Sequence, residues 1–522
     1  MSTSGAPPLG FPATVPKLLE WAATEHGGAD FVVTEVERLS FHEASERSAL
    51  LARQLVAAGV GKGTRVGISL PSGIPFTVAF LAVARVGALA ILISSTYRGR
   101  ELARVLQIAD VDTLIAPERV AGRDYVHDLE TAVDGLESQR RGSLHLVAMP
   151  YLRRIWIVGG ARRAWATDVA DDLPGVDPSL LAAIEVQVSP ADWLLTICTS
   201  GSTADPKMIV HTHGLAVRKV HPSTGIGQSP SRPGQRVLVA MPFFWVGGPL
   251  CLLGALHSGS TIVCQETFDP DEAVELIARE HVTSIAGWRA RVDELRATAL
   301  ASGRALTLEP QPTFLHSSRG DPVNIGMTET LGPHHNPDFF EYRIVDPDTG
   351  ASVAEGDSGE FWVRGAGVMA AMLRKEREET FEPDGWYRTG DRGYLEDGRV
   401  FFLGRYSEML KSGGANVAPA EVEQALLACP GVAEAYVVGV PHPELGDEVV
   451  AVVVAADDHD IVEGDLRSRL KSELSSFKVP KRILVVGASD VPRLATGKVD
   501  KRAITASAAL GASVRTGEAH DG

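Results

Sequence analysis

The stretch Thr199-Ser200-Gly201-Ser202-Thr203-Ala204-Asp205-Pro206-Lys207 gathers hydroxyls, a glycine and a lysine directly behind the apolar run Trp193 to Cys198. Hydroxyls and backbone amides concentrated between a strand and the next element can surround phosphate oxygens. Lys207 adds a positive charge that is not tied to one planar geometry. The spacing G-x-x-x-x-G-K-[ST] is absent, so this is not a Walker loop. A polar surface turn would have the same composition, and the position at a strand end in an α/β pattern favours a ligand site. Thr328 and Glu329 are neighbours whose oxygens are hard ligands suited to Mg²⁺; an exposed helix cap is the plainer alternative. Asp391 stands between Arg388 and Arg392. Such a carboxylate either binds both hydroxyls of a ribose or joins a surface ion pair of little energetic weight. Lys498 follows Leu494-Ala495-Thr496-Gly497, and by itself reads as a solvated lysine on a turn.

The elements that must hold these residues alternate. Val15 to Glu25 has helical spacing. Ser40 with Glu43 makes a capping box before a second helix. Thr64 to Leu70 reads as a strand, Phe76 to Val86 as a helix, Ala88 to Ile93 as a buried strand, Arg98 to Ala109 as a helix, and Thr113 to Ala116 as a strand. A weaker cycle covers Val126 to Leu136 and Ile155 to Val158. This alternation predicts an α/β region with a largely parallel sheet. Val237 to Ala240 is a strand ending near Pro242, and Glu272 to Glu280 a helix. Glu341 to Val345, Gly359 to Arg364 and Gly398 to Leu403 are short strands with glycine-rich turns, which predicts a β-rich subdomain. Beyond Gly404 to Ser407 come a helix at Ala420 to Ala428, strands at Ala435 to Val440 and Glu448 to Ala455, and a helix at Leu466 to Leu474. That predicts a small α+β domain. Residues 503–522 are small, charged and glycine-containing, and read as a loose tail.

With 522 residues, 44% hydrophobic and 22% charged, the chain is long enough for two to four domains with sizeable cores. Its 50 basic and 66 acidic residues give a net charge of -16. That argues against a general nucleic-acid surface but says nothing against a local phosphate site. Cys198, Cys251, Cys264 and Cys429 have neither metal-pair nor disulfide-framework spacing, and read as reduced, buried thiols of a cytoplasmic protein. The N-terminus lacks a basic segment followed by a signal core. The most apolar stretch, Ile74 to Ile93, is interrupted by Arg85, and reads as a buried helix and strand rather than a span.

The hydroxyl-rich loop resembles the phosphate-binding signature of the adenylate-forming enzymes, the superfamily of acyl-CoA synthetases, luciferases and adenylation domains. Further similarity follows in the family's order over about 300 residues. It comprises Gly326-Met327-Thr328-Glu329, Tyr387-Arg388-Thr389-Gly390-Asp391, Gly404-Arg405, Lys411-Ser412-Gly413-Gly414-Ala415-Asn416 and Ala495-Thr496-Gly497-Lys498. The resemblance implies an acyl-CoA-synthetase-like fold. A large ATP- and carboxylate-binding domain would span 1–404, a hinge 405–407, a small mobile α+β domain with the catalytic lysine 408–502, and a flexible tail 503–522. It also implies two-step chemistry. A carboxylate attacks the α-phosphate of Mg-ATP to give acyl-AMP and pyrophosphate, and the thiol of coenzyme A then displaces AMP.

By the same resemblance Thr199, Ser200, Gly201, Ser202, Thr203 and Lys207 hold the phosphates, Thr328 meets them, and Glu329 helps hold Mg²⁺. Asp391 binds the ATP ribose, with Arg405 close to the ribose or phosphates. Lys498 neutralises charge between carboxylate and α-phosphate, a transition-state role. Phe244, Trp245 and Gly326 belong to the acyl pocket. Ser407 is the hinge residue, and Lys411, Gly413 and Gly414 form the thiol-transfer region. The sequence departs from the family's pattern in places: Ala204 replaces a usual glycine, Ile325 a usual tyrosine, Trp245 a usual histidine, and Ser407 a usual aspartate or lysine. The stretch 316–340 is also short for the family. Loading of a separate carrier protein, luciferase-like oxygen chemistry and a non-catalytic nucleotide-binding protein are the alternatives. Neither an internal carrier-serine motif nor an oligomeric state is evident in the sequence.

Overall fold

The computed structural model describes residues 9–142, 144–160, 163–169, 173–199, 206–221, 232–287, 289–304, 306, 308, 339–396, 399–405, 409–412, 415–417, 419–443, 446–456, 459, 461–474, 478–493 and 499–509. They fall into two compact units. The first holds the described residues of 9–308, 339–341 and 363–387; the second holds 342–362 and 388–509.

The first unit contains an eight-stranded and a five-stranded sheet. In the larger, Arg65–Ile68 is central and runs parallel to Leu89–Leu92 and to Thr113–Pro117. Leu89–Leu92 in turn runs parallel to Trp193–Thr199. Leu89–Leu92 and Thr113–Pro117 are buried at every position, as expected where helices cover both faces. Gly67 is needed at the centre: a Cβ there would meet Ile93 and Leu114 side-chain carbons at 3.0 Å. The apolar run from Ile74 is a helix to Arg85 followed by the Leu89–Leu92 strand, both in the core. Arg85 leaves the helix to pair with Glu185 at 2.5 Å. The expected capping box is present, with the Ser40 hydroxyl accepting from the Glu43 amide and the Glu43 carboxylate accepting from the Ser40 amide. In the smaller sheet Arg236–Ala240 runs parallel to Thr261–Val263 and to Ser284–Gly287.

The second unit contains most of a four-stranded sheet, made by Glu341–Val345, Gly359–Arg364, Tyr387–Glu396 and Arg399–Arg405, and a five-stranded sheet. The long hairpin Val432–His442 with Gly446–Ala455 is the centre of the latter. Its side chains alternate between two cores. Val449, Ala451 and Val453 pack with Val422, Leu426, Leu466 and Leu470 on one face. Val450, Val452 and Val454 pack with Ile504 and Ala508 on the other. That second face corrects the reading of a loose tail from 503. Lys501–Ala509 is a helix, because Ile504 and Ala508, four apart, bury against the valines. The grouping of 342–362 and 388–405 with the C-terminal part differs from a division at 404.

All four cysteines are free and buried. Among the described residues no helix is long and apolar enough to cross a membrane.

Candidate functional site

Thr199 is the register partner of Lys207, and Cys198 of Met208. The hydroxyl-rich stretch therefore closes an antiparallel hairpin between Trp193–Thr199 and Lys207–Thr212. Ile197 is level with Leu92 in the parallel neighbour. The hairpin thus closes at the carboxyl edge of the parallel strands, where open α/β sheets bind ligands. Residues 200–205 lie outside the described residues, which covers Ser200, Gly201, Ser202, Thr203 and Ala204. The neighbouring strand runs at the same edge into Ser94 and Ser95, both buried, with the Ser94 and Thr96 hydroxyls 2.8 Å apart.

Cys198 is the last strand residue but one, directly before Thr199. Burial pushes its thiol up to about 12, opposed by a hydrogen bond with Tyr97. A thiol held neutral in this way is no nucleophile, as expected for chemistry that needs none from the protein.

The aromatic segment follows the Arg236–Ala240 strand. Phe243 is fully buried, edge-on to Phe76 at 5.6 Å, and its amide donates to the Ser72 hydroxyl at 3.1 Å. Phe244 and Trp245 are half-buried and pack on the margin of the same core. The segment is held by the start of the Gly247–Ser258 helix. A Cβ on Gly247 would fall 1.9 Å from the Met241 sulfur, and one on Gly248 2.4 Å from the Phe243 Cα. The sequence reading placed the aromatic residues but missed the two glycines that seat them.

In the second unit Asp391 is the register partner of Arg405, so two residues predicted to serve the nucleotide lie opposite one another on adjacent strands. Asp391 is fully buried. Sequence reasoning missed Glu360. This carboxylate, 4% exposed in the strand Gly359–Arg364, accepts hydrogen bonds from Arg388, Gly390 and Trp362. The signal was there as one acidic residue in a run of buried positions, Glu360-Phe361-Trp362-Val363.

Further along, Ser412 pairs with Ala415 and Lys411 with Asn416, so only Gly413 and Gly414 separate the paired residues. Both glycines lie outside the described residues, as do Lys498, Ser407, Gly326, Thr328, Glu329 and Ile325. The residues flanking Lys498 are described. Arg493 and Val499 form an antiparallel bridge, the Asp500 amide donates to the Pro492 carbonyl at 2.8 Å, and Arg493 pairs with both Glu434 oxygens at 2.8 and 3.1 Å. Among the described residues no group of three or more His, Cys, Asp or Glu side chains is placed to hold a metal ion.

Residues 19–373 match the AMP-binding enzyme family, and residues 421–498 match the AMP-binding enzyme C-terminal domain. A feruloyl-CoA synthase of Amycolatopsis sp is 30% identical over 514 residues, which cover 92% of this chain and 94% of that protein. The acyl-CoA ligase SID4 of Ajellomyces capsulatus is 28% identical over 550 residues, 94% of this chain and 90% of its own. Among solved structures, the anthranilate CoA ligase AuaEII in complex with anthranoyl-AMP shares the fold with a TM-score of 0.75 at 20% identity, over 98% of this chain and 99% of that one.

Proposed function

The chain belongs to the AMP-binding family of adenylate-forming enzymes, and on that premise we propose that it activates a carboxylic acid with Mg-ATP and transfers the acyl group to coenzyme A. The observation that carries this reading is the hairpin pairing of Thr199 with Lys207 at the carboxyl edge of the parallel strands. The names of the feruloyl-CoA synthase and the acyl-CoA ligase support coenzyme A as the acceptor. Loading of a separate carrier protein is the second reading, since its first step is the same. Buried free thiols and the need for ATP and coenzyme A fit a cytoplasmic enzyme.

The residues divide the work as follows. Thr199 to Thr203, with Lys207 and Thr328, hold the polyphosphate. Asp391 and Arg405 hold the ribose side of the nucleotide. Phe244, Trp245 and Gly326 wall the acid. An oxygen of the carboxylate attacks the α-phosphorus, the bond to the pyrophosphate oxygen breaks, and Lys498 stabilises the negative charge that gathers between the reacting groups. Glu329 would hold Mg²⁺, which when bound with ATP neutralises phosphate charge; its carboxylate oxygens suit that hard cation. In the second step the thiol sulfur attacks the acyl carbon, its proton is lost, and AMP leaves. Lys411, Gly413 and Gly414 border that acceptor.

Carboxylate-dependent exchange of pyrophosphate into ATP, run over aryl, alkyl and cyclic acids, tests the reading. Ferulate and anthranilate, the acids in the relatives' names, belong in the panel. The expected result is exchange with at least one acid, followed by a thioester on free coenzyme A. Exchange with none would return the chain to a nucleotide-binding role, and thioester formation only on a phosphopantetheinylated carrier would replace coenzyme A by that partner.

A further inference from the structure

We propose that Glu360 is the positioning residue of the nucleotide's ribose site, setting the turn that presents Asp391; the proposal rests on the reading that Asp391 binds the ribose. Glu360 lies in the strand Gly359–Arg364, beside the strand that carries Asp391. At 4% exposure its charge has lost most of its water, a cost that only good partners offset. Its partners all belong to two short segments. Oε1 accepts the Gly390 amide at 3.1 Å. Oε2 accepts Arg388 Nε at 3.2 Å, Arg388 Nη2 at 3.0 Å and the Trp362 indole N–H at 3.0 Å.

The result is a residue-by-residue stitch. Arg388 and Gly390 donate to Glu360, the Thr389 hydroxyl donates to the Phe361 carbonyl at 2.8 Å, and the Asp391 amide donates to the Thr389 hydroxyl at 3.0 Å. Gly390 sits at φ +72°, a left-handed turn immediately before Asp391. Its N–H is oriented by the Glu360 oxygen. Without that acceptor the turn loses its charged anchor, and the direction in which Asp391 leaves the turn is no longer fixed. Trp362 and Arg388 brace the same carboxylate, with the Arg388 guanidinium 5.2 Å above the Trp362 ring. Two carboxylates on neighbouring strands thus divide the labour: Asp391 meets the ligand and Glu360 holds Asp391 in place. Nothing in the motif Tyr387 to Asp391 announces the second carboxylate, because it comes from another strand.

The test is selectivity between ATP and its 2′-deoxy and 3′-deoxy analogues in pyrophosphate exchange. Glu360→Gln keeps the size of the side chain but sets an amide where donors converge. One charge-assisted contact is worth roughly tenfold, so the KM for ATP should rise about tenfold and the preference for ATP over the deoxy analogues should shrink several-fold. The KM for the acid should hold, and the thermal midpoint identifies a folded variant. Asp391→Asn is measured beside it. If Asp391→Asn keeps the parent's preference for ATP, the ribose reading itself fails. If Asp391→Asn loses the preference while folded Glu360→Gln keeps it, Glu360 has no positioning role and the ribose reading stands. Should Glu360→Gln fail to fold, Arg388→Lys removes the planar donors to the same carboxylate and must weaken the preference in the same direction; an unchanged preference there overturns the proposal.

Discussion

At the scale of single residues, chemistry and placement are separable. Cys198 is next to the proposed phosphate loop and yet inert, because burial holds its thiol up to about 12. Lys498 is the reverse case, a residue whose environment in sequence is an unremarked turn and whose weight comes from the reaction assigned to it. Lys498→Ala is expected to lower pyrophosphate exchange by about 10²–10³, the cost of one strong transition-state contact. Thioester formation from supplied acyl-adenylate should be far less affected, and near-normal exchange would remove the lysine from the first step. Trp245 is half-buried at the core margin beside fully buried Phe243. Trp245→Ala should therefore re-rank the acid panel while leaving the KM for ATP nearly unchanged; identical relative activities across the panel would detach it from the acid. The aromatic run was legible as a local apolar feature. Glu360 showed only as a lone acidic residue in a buried run, since its partners lie on a strand nearly thirty residues away, Arg388 being 28 positions on.

At the scale of elements, sequence pattern served well where burial is periodic and poorly where packing is unusual. The strands Arg65–Ile68, Leu89–Leu92 and Thr113–Pro117 were readable because buried parallel strands are apolar throughout. The helix Gly247–Ser258 went unread. It opens Gly-Gly-Pro, residues that punctuate rather than build helices, and it is apolar on every side, so it has no amphipathic period. Its glycines exist for contact: a Cβ at Gly248 would lie 2.5 Å from the Phe243 carbonyl oxygen. Gly248→Ala should cost about 1–3 kcal/mol through overpacking and displace the segment that carries Trp245. Thermal unfolding together with the acid panel checks both halves. A parent-like midpoint with unchanged acid preference would show that the helix start yields without strain. The helix Lys501–Ala509 was likewise missed, since its sequence is polar and small except for the pair that buries. The antiparallel return at Lys207–Thr212 was invisible for a different reason, because pairing register is a property of two strands and the sequence displays only one at a time.

At the scale of the whole molecule, two expectations concern cooperation among parts. The first is the proposed rotation near 405–408, by which one C-terminal domain supplies Lys498 to adenylation and the Gly413-Gly414 region to thiol transfer. Ser407→Pro fixes φ and removes an amide donor, so a folded variant should lose thiol transfer much more than adenylation in single-turnover measurements; parent rates in both steps would exclude Ser407 as the pivot. The second concerns acid. His213 begins the helix His213–Lys219 and accepts the Val15 amide on Nδ1 at 3.2 Å, tying that helix to the start of Val15–Glu25. Burial lowers its pKa to about 3, with Asp192 opposing and Lys62 assisting. His257 contacts the Val217 carbonyl through Nε2 at 2.8 Å, and burial lowers it to about 4, opposed by that hydrogen bond and assisted by His221. His221 lies edge-on at 5.2 Å and is itself lowered by burial. Both folded values lie below the ordinary histidine value near 6.5, so the unfolded chain binds the protons first. Stability is therefore complete above about pH 6.5 and falls with pH from there towards the folded values, at up to about 1.4 kcal/mol per pH unit for each histidine. Carboxylates held low, such as Glu280 among Arg38, Arg279 and Arg236, act in the same direction but only near and below their own ordinary range. Between pH 6.5 and 5 the histidines lower stability, while Glu101, Glu185 and Glu266, whose carboxyls burial raises, act in the opposite sense. His257→Gln keeps a donor for the Val217 carbonyl and removes the titration, so its denaturation midpoint should fall less steeply across that interval than the parent's. Parallel curves for the two proteins would show that His257 accepts its proton without disturbing the fold.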